Sequence, residues 1–239
     1  MSKYLLFMMF PFMICYSYTF QIYVGSTGLL FPYSLGSLSY IKTVMNSNKY
    51  HFHGVSGGSW CSLIYHLEND LTDHDRLWNT YIGNESTIVK IYDMKSMEHV
   101  HKKIGNNVLA KYKDTKNNIN IPISIYVTKI QNKLPKNIVI SEYNNLEEAV
   151  NYATCSSYIP FICGKGIWTK YENNKYIDGV FFHKKPKVEF DICVDANKIY
   201  SSNKNSGIDQ RICLDINKSR KMFQYGWEYA KQNFKNDKY

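Results

Sequence analysis

Lys49-Tyr50-His51-Phe52-His53-Gly54-Val55-Ser56-Gly57-Gly58-Ser59-Trp60-Cys61-Ser62-Leu63-Ile64-Tyr65-His66 decides the fold. Gly54 to Gly58 matches G-x-S-x-G, the pattern that sets a serine on a sharp turn between a strand and a helix. The flanking residues must be small, because backbone there is strained and passes close to its neighbours. Before the turn, Tyr50, Phe52 and Val55 suit a buried strand. After it, Trp60, Leu63, Ile64 and Leu67 recur at helical spacing. Ser56 is therefore expected at a helix N-terminus, where amide N–H groups favour developing negative charge. A lone G-x-S-x-G also occurs in ordinary loops, and the rest of the chain has to decide between the two readings.

Upstream the same order appears once before. Thr19 to Val24 reads as a strand, Gly25-Ser26-Thr27-Gly28-Leu29 as a small-residue turn, and Leu35, Leu38, Ile41 and Val44 after Pro32 as a helix. Strand, turn and helix twice over predict an α/β fold, a mostly parallel sheet with helices on its faces. The first turn is a natural oxyanion hole, since its amides can point at a ligand beyond the strand ends. A nucleotide phosphate is the other ligand for such a turn, but G-x-G-x-x-G and an acidic ribose partner are missing.

Downstream, residues 71–112 read as helical and polar, with Leu77, Trp78, Tyr81 and Ile82 facing inward. His74, His99 and His101 in this region read as surface or structural histidines, because no carboxylate completes a metal site. Residues 113–120 read as a loop, 121–130 and 138–140 as strands, and 146–154 as a helix. Residues 155–162 form an apolar turn and 168–174 a loop. Lys175-Tyr176-Ile177 reads as a strand ending in Asp178-Gly179, and 187–194 as another strand. After a loop at 201–207, a terminal helix spans 219–234 with Ser219 as its N-cap.

With 239 residues, 44% hydrophobic and 21% charged, the chain has the composition of one globular domain. A net charge of +9 suits anionic partners such as phospholipid surfaces or, equally, a lysine-rich soluble surface. No nucleic-acid motif accompanies it. The six cysteines form no C-x-x-C pair and read as free thiols. Residues 1–18 are set apart from the domain at 19–239. Their apolar run, Tyr4 to Cys15, fits a signal-peptide core or a segment that packs on the domain or dips into a membrane surface. Asn84 and Asn217 open glycosylation sequons.

Four stretches, in order, resemble the patatin-like phospholipase family, and within it the branch of adiponutrin and adipose triglyceride lipase. They are Gly25 to Leu38, Gly54 to Gly58, Cys155 to Phe161 with its Ile159-Pro160-Phe161, and Tyr176-Ile177-Asp178-Gly179. Tyr225 to Ala230 adds a late helix. The resemblance covers roughly Phe20 to Phe234. It implies a three-layer α/β/α fold and a lipid acyl hydrolase using a Ser-Asp dyad. Ser56 would be the nucleophile, Asp178 its base, Gly54 and Gly58 the tight turn, and Gly179 part of the acid motif. Backbone N–H groups of Thr27, Gly28 and Gly57 would form the oxyanion hole. No metal or cofactor is implied, and the substrate would be a phospholipid or acylglycerol at a membrane or droplet surface. Two positions depart from the family's Gly-rich loop: Leu30 replaces its basic residue and Phe31 its last glycine. Thr27 would resist φ > 0 if the loop needs it there, and Val180 replaces a small residue after the acid motif.

Two other readings stand beside this one. An altered oxyanion loop also suits a catalytically impaired lipid-binding protein. A Ser-His-Asp esterase fits less well: little chain precedes Ser56, and His183, the only histidine after Asp178, is too near it in sequence.

Overall fold

Strand β1 (Phe20–Val24), a 3-10 turn at Gly28–Leu30 and helix α1 (Phe31–Val44) open the structure. It is a computed structural model describing residues 19–45, 49–115, 120–183, 188–203 and 212–234. Strand β2 (Tyr50–Val55) and helix α2 (Gly57–Leu67) follow, meeting at Ser56. Helix α3 (His74–Tyr81), strand β3 (Val89–Lys90) and helix α4 (Met94–Lys111) make a side wing. Then come β4 (Ile123–Gln131), β5 (Leu134–Ile140), α5 (Leu146–Ser156), β6 (Thr169–Tyr171) and β7 (Asn174–Ile177). The chain closes with β8 (Ile192–Val194), α6 (Ala196–Ser202), β9 (Cys213–Leu214) and α7 (Ile216–Asn233).

Seven strands form the main sheet in the order β6-β7-β4-β2-β1-β8, with β5 on the free side of β4. Strands β8, β1, β2 and β4 run parallel, and β5 and β7 run against β4. Helix α1 connects β1 to β2, helix α2 lies between β2 and β4 in the chain, and the two helices pack against each other. Helices α1, α2 and α5 pack on the sheet, an arrangement consistent with a three-layer α/β/α fold. Ile22, Val24, Phe52, Ile123, Ile125 and Val127 are fully buried and form its apolar face.

The register of β4 matters most for function. Its residues Ile125 and Thr128 each pair with β5 on one edge. On the other edge Ile125 pairs with Gly54 of β2, and Thr128 with Ile177 of β7. So β2 and β7 share that edge, end to end and pointing at each other. Val55 stands opposite Tyr126 and Ile177 opposite Thr128. The residues that follow, Ser56 and Asp178, must converge.

Several sequence expectations change. The terminal helix begins at Ile216, capped by Asp215, whose carboxylate accepts from the Lys218 N–H at 2.9 Å. Ser219 instead lies buried inside the first turns and bonds to His74. Asp73, Asp93 and Asp195 cap α3, α4 and α6 in the same way, each such cap being worth about 1 kcal/mol. The strand expected over 187–194 is limited to Ile192–Val194, with residue 187 outside the described residues. The expected loop at 168–174 is a hairpin, β6 to β7, turned at Glu172 and Asn173 with φ of 47° and 61°. Likewise β5 starts at Leu134 because Asn132 and Lys133 make a left-handed turn. The expected loop at 113–120 includes a 3-10 turn at Lys113–Thr115. The apolar segment 1–18 lies outside the described residues, and among those described no helix is long and apolar enough to cross a membrane.

Candidate active site

Ser56 adopts φ 55° and ψ −130°, a conformation that L-residues with a Cβ rarely hold. Close packing on both sides imposes it. A Cβ on Gly58 would fall 2.3 Å from the Val24 carbonyl oxygen, and one on Gly54 2.6 Å from the Ser59 Cα. Helix α2 therefore begins pressed against the end of β1. Ser56 is the N-cap of α2, yet its hydroxyl makes no cap bond. It donates instead to Asp178 Oδ2 at 2.5 Å.

Asp178 is fully buried. Its Oδ1 accepts the Val180 N–H at 2.8 Å, and its own N–H donates to the Tyr158 carbonyl at 2.8 Å. Burial pushes its carboxyl up to about 6, although the Ser56 hydroxyl and the Val180 N–H pull the other way. At neutral pH it is mainly a carboxylate with raised proton affinity, which suits a base. Gly179 sits directly against the Tyr126 carbonyl.

One residue was not singled out from the sequence. Ser156, buried at the end of α5, accepts the Ser56 N–H at 2.9 Å and donates to the Tyr126 carbonyl at 2.7 Å. Its hydroxyl also lies 3.1 Å from the Ser59 hydroxyl. It thus ties the strained turn to β4. The signal was an apolar turn at 155–162 whose two consecutive serines, Ser156 and Ser157, are both buried.

The first turn lies beside the second. A Cβ on Gly57 would stand 2.0 Å from Thr27 Oγ1 and 3.6 Å from Gly28 N. Gly57 opens α2, where first-turn N–H groups have no partner within the helix. Backbone N–H groups at Gly28 and Gly57 therefore flank Ser56. The left-handed residue of this turn is Gly28, at φ 52°, while Thr27 has φ −119°. The expected conflict at Thr27 does not arise, because the turn asks for positive φ only where glycine stands.

An apolar cleft starts at Ser56 and runs between α1, α2, α3 and α4. Phe31, Leu35, Trp60, Ile64, Trp78 and Ile104 line it, and it encloses a volume of about 100 Å³. Ile64 is eight residues along α2 from Ser56, roughly 12 Å at the helical rise. The far walls are pinned by Glu68. Its buried carboxylate accepts from Arg76 at 2.9 Å and from Lys111 and Tyr81. Burial alone would raise its pKa, but these three donors hold it below the usual carboxylate range.

The histidines read as surface or structural divide. His74 and His101 both line the cleft. His74 bonds to Ser219 at 2.7 Å and Asp75 at 2.9 Å. His101 bonds to the Ser157 hydroxyl at 2.7 Å, and burial pushes its pKa down to about 4, keeping it neutral. His183 contacts the Tyr23 hydroxyl at 3.0 Å and packs on Tyr126, while the Ser56 hydroxyl is already engaged by Asp178.

Fold and site together define an α/β protein with a strained serine bonded to a buried carboxylate at the head of an apolar cleft. Comparison with known proteins adds a distant similarity. The chain is 30% identical over 98 residues to the omega-hydroxyceramide transacylase of Mus musculus, covering 41% of this chain and 16% of that protein. It is 22% identical over 220 residues to the human omega-hydroxyceramide transacylase, covering 89% of this chain and 40% of that protein. The chain thus spans less than half the length of the relatives it matches. No family model matches it.

Proposed function

We propose that the chain is a lipid acyl hydrolase of the patatin-like family, cleaving fatty-acyl esters of phospholipids or acylglycerols at a membrane or droplet surface. The reading rests on one observation above all, the 2.5 Å bond from the Ser56 hydroxyl to the buried Asp178 carboxylate. As Ser56 Oγ attacks the ester carbonyl, Asp178 takes its proton. The tetrahedral oxyanion is met by N–H groups of Gly28 and Gly57, with that of Thr27 nearby, each donor worth about 2.7–4 kcal/mol. Collapse expels the alcohol, which receives the proton from Asp178, and leaves an acyl-enzyme. Water, deprotonated by the same carboxylate, then attacks the acyl carbon, releases the fatty acid and restores Ser56. The apolar cleft beside α2 suits the acyl chain.

A second reading replaces water with a lipid hydroxyl in the last step, so that the acyl group is transferred. The relatives named as transacylases favour it. A fluorophosphonate probe is expected to label the wild type and to leave folded Ser56→Ala unlabelled. Equal labelling of both, or none of either, would sink the reading. Products from a labelled acyl donor, with and without a long-chain alcohol, separate hydrolysis from transfer.

A further inference from the structure

Val180, Phe181 and Phe182 follow the buried Asp178-Gly179 pair, and all three are well exposed, at 44%, 51% and 47%. The neighbouring loop shows the same feature. Phe161 is 59% exposed and Ile167 54%. Phe161 is also held at φ 63°, unusual for an aromatic residue. The loop is closed from within, since the Gly166 carbonyl accepts both the Phe161 N–H and the Tyr158 hydroxyl.

Both segments hang from the reactive pair. Val180 donates its N–H to Asp178, and Asp178 donates its N–H to Tyr158. Ile159 and Cys163 of the same loop line the cleft with Ser56. Both exposed apolar segments are thus tied to the Ser56 end of the cleft. The exposed charge along this stretch of chain has one dominant sign. Lys165, Lys170 and Lys175 are exposed, and Glu172 is the one exposed acid between Tyr158 and His183. Lys175 lies over the Trp168 ring, 4.2 Å from its centre. Exposed aromatic and aliphatic side chains interspersed with lysines are the composition of surfaces that enter the headgroup region of anionic membranes.

We propose that Phe161, Ile167, Phe181 and Phe182, with Lys165, Lys170 and Lys175, form a docking rim for an anionic phospholipid bilayer. Seated this way, the cleft mouth faces the lipid, and an acyl chain reaches Ser56 without crossing water. That consequence rests on the enzymatic reading above; the docking itself does not.

The test is flotation of the full chain carrying Ser56→Ala with phosphatidylcholine–phosphatidylserine vesicles and with phosphatidylcholine alone. The parent is expected to float with the mixed vesicles. Phe181→Ser/Phe182→Ser should weaken partition about tenfold or more, as should Phe161→Ser to a lesser degree. Lys170→Glu/Lys175→Glu should lower binding to mixed vesicles only. In protein keeping Ser56, Phe181→Ser/Phe182→Ser should leave cleavage of a soluble short-chain ester unchanged, which also reports folding. A parent that does not float, or a double Phe variant that floats like the parent, overturns the docking rim. Equal binding to phosphatidylcholine alone overturns its anionic specificity. Flotation without any ester cleavage sinks the enzymatic reading alone, and cleavage of soluble ester without flotation sinks the rim alone.

Discussion

The two strand ends that meet on β4 hold their reactive groups at different kinds of expense. At the end of β2 the backbone is strained: Ser56 sits at φ 55°, kept there by close packing and by Ser156. At the end of β7 the backbone is ordinary, Asp178 having φ −47° and ψ 135°, and the burden is a carboxylate removed from water. Strain of the first kind does not change with pH. The second kind does, so pH acts on one half of the pair and leaves the other alone.

This contrast can be broken most forcefully at the acid. Asp178→Asn preserves shape and removes the base, and turnover should fall by about 10⁴-fold. Ester hydrolysis near wild-type rates by that variant would remove Asp178 from the mechanism. On the serine side, Gly58→Ala should destabilise the fold by about 3 kcal/mol in denaturant titration, because its new methyl meets two carbonyl oxygens. A loss below about 1 kcal/mol would mean the turn is free to relax.

The pH dependence sharpens the difference further. The folded carboxyl of Asp178 titrates near 6 against 3.8 when unperturbed. A raised pKa means that the folded state favours the proton, so the penalty is absent below the lower value, grows between the two and is complete above the upper one. Asp178→Asn should therefore match wild-type stability near pH 3 and exceed it at pH 8 by up to about 3 kcal/mol. Wild-type kcat/KM should drop about tenfold per unit below pH 6, and an unchanged rate at pH 5 would contradict a carboxylate base. The smallest effect is expected at Ser156→Ala. Loss of the bond to the Ser56 N–H should slow fluorophosphonate labelling about 10-fold while KM for a soluble ester stays the same. A matching rise in KM would point to a general structural role instead.

How much of this was legible in the sequence depends on the physical source of each feature. Two strand-turn-helix units were readable because buried strands and amphipathic helices impose different periods on apolar residues. Ser56 was readable because only small residues fit beside it. Ser156 was less so: two serines in an apolar turn mark the place, but its partners, the Ser56 N–H, Ser59 and the Tyr126 carbonyl, come from distant segments. Asp215 and Ser219 both belong to residue types that cap helices, and the burial of Ser219 leaves the cap to Asp215. The β6–β7 and β4–β5 hairpins turn on Glu172-Asn173 and Asn132-Lys133, pairs whose left-handed geometry the surrounding strands impose. His101 read as a surface or structural histidine, and the packing of α4 on α5 turned it toward the cleft.

Strand β4 contributes no side chain to the pair, yet Val127 is the spacer that fixes the gap between Ser56 and Asp178. Adding or deleting one residue there would shift one partner by about 3.3 Å along the ladder. Such a change would uncouple the pair while every atom of both side chains remained present. Evolutionary drift at this locus should therefore tolerate replacements of side chains far better than alterations in length.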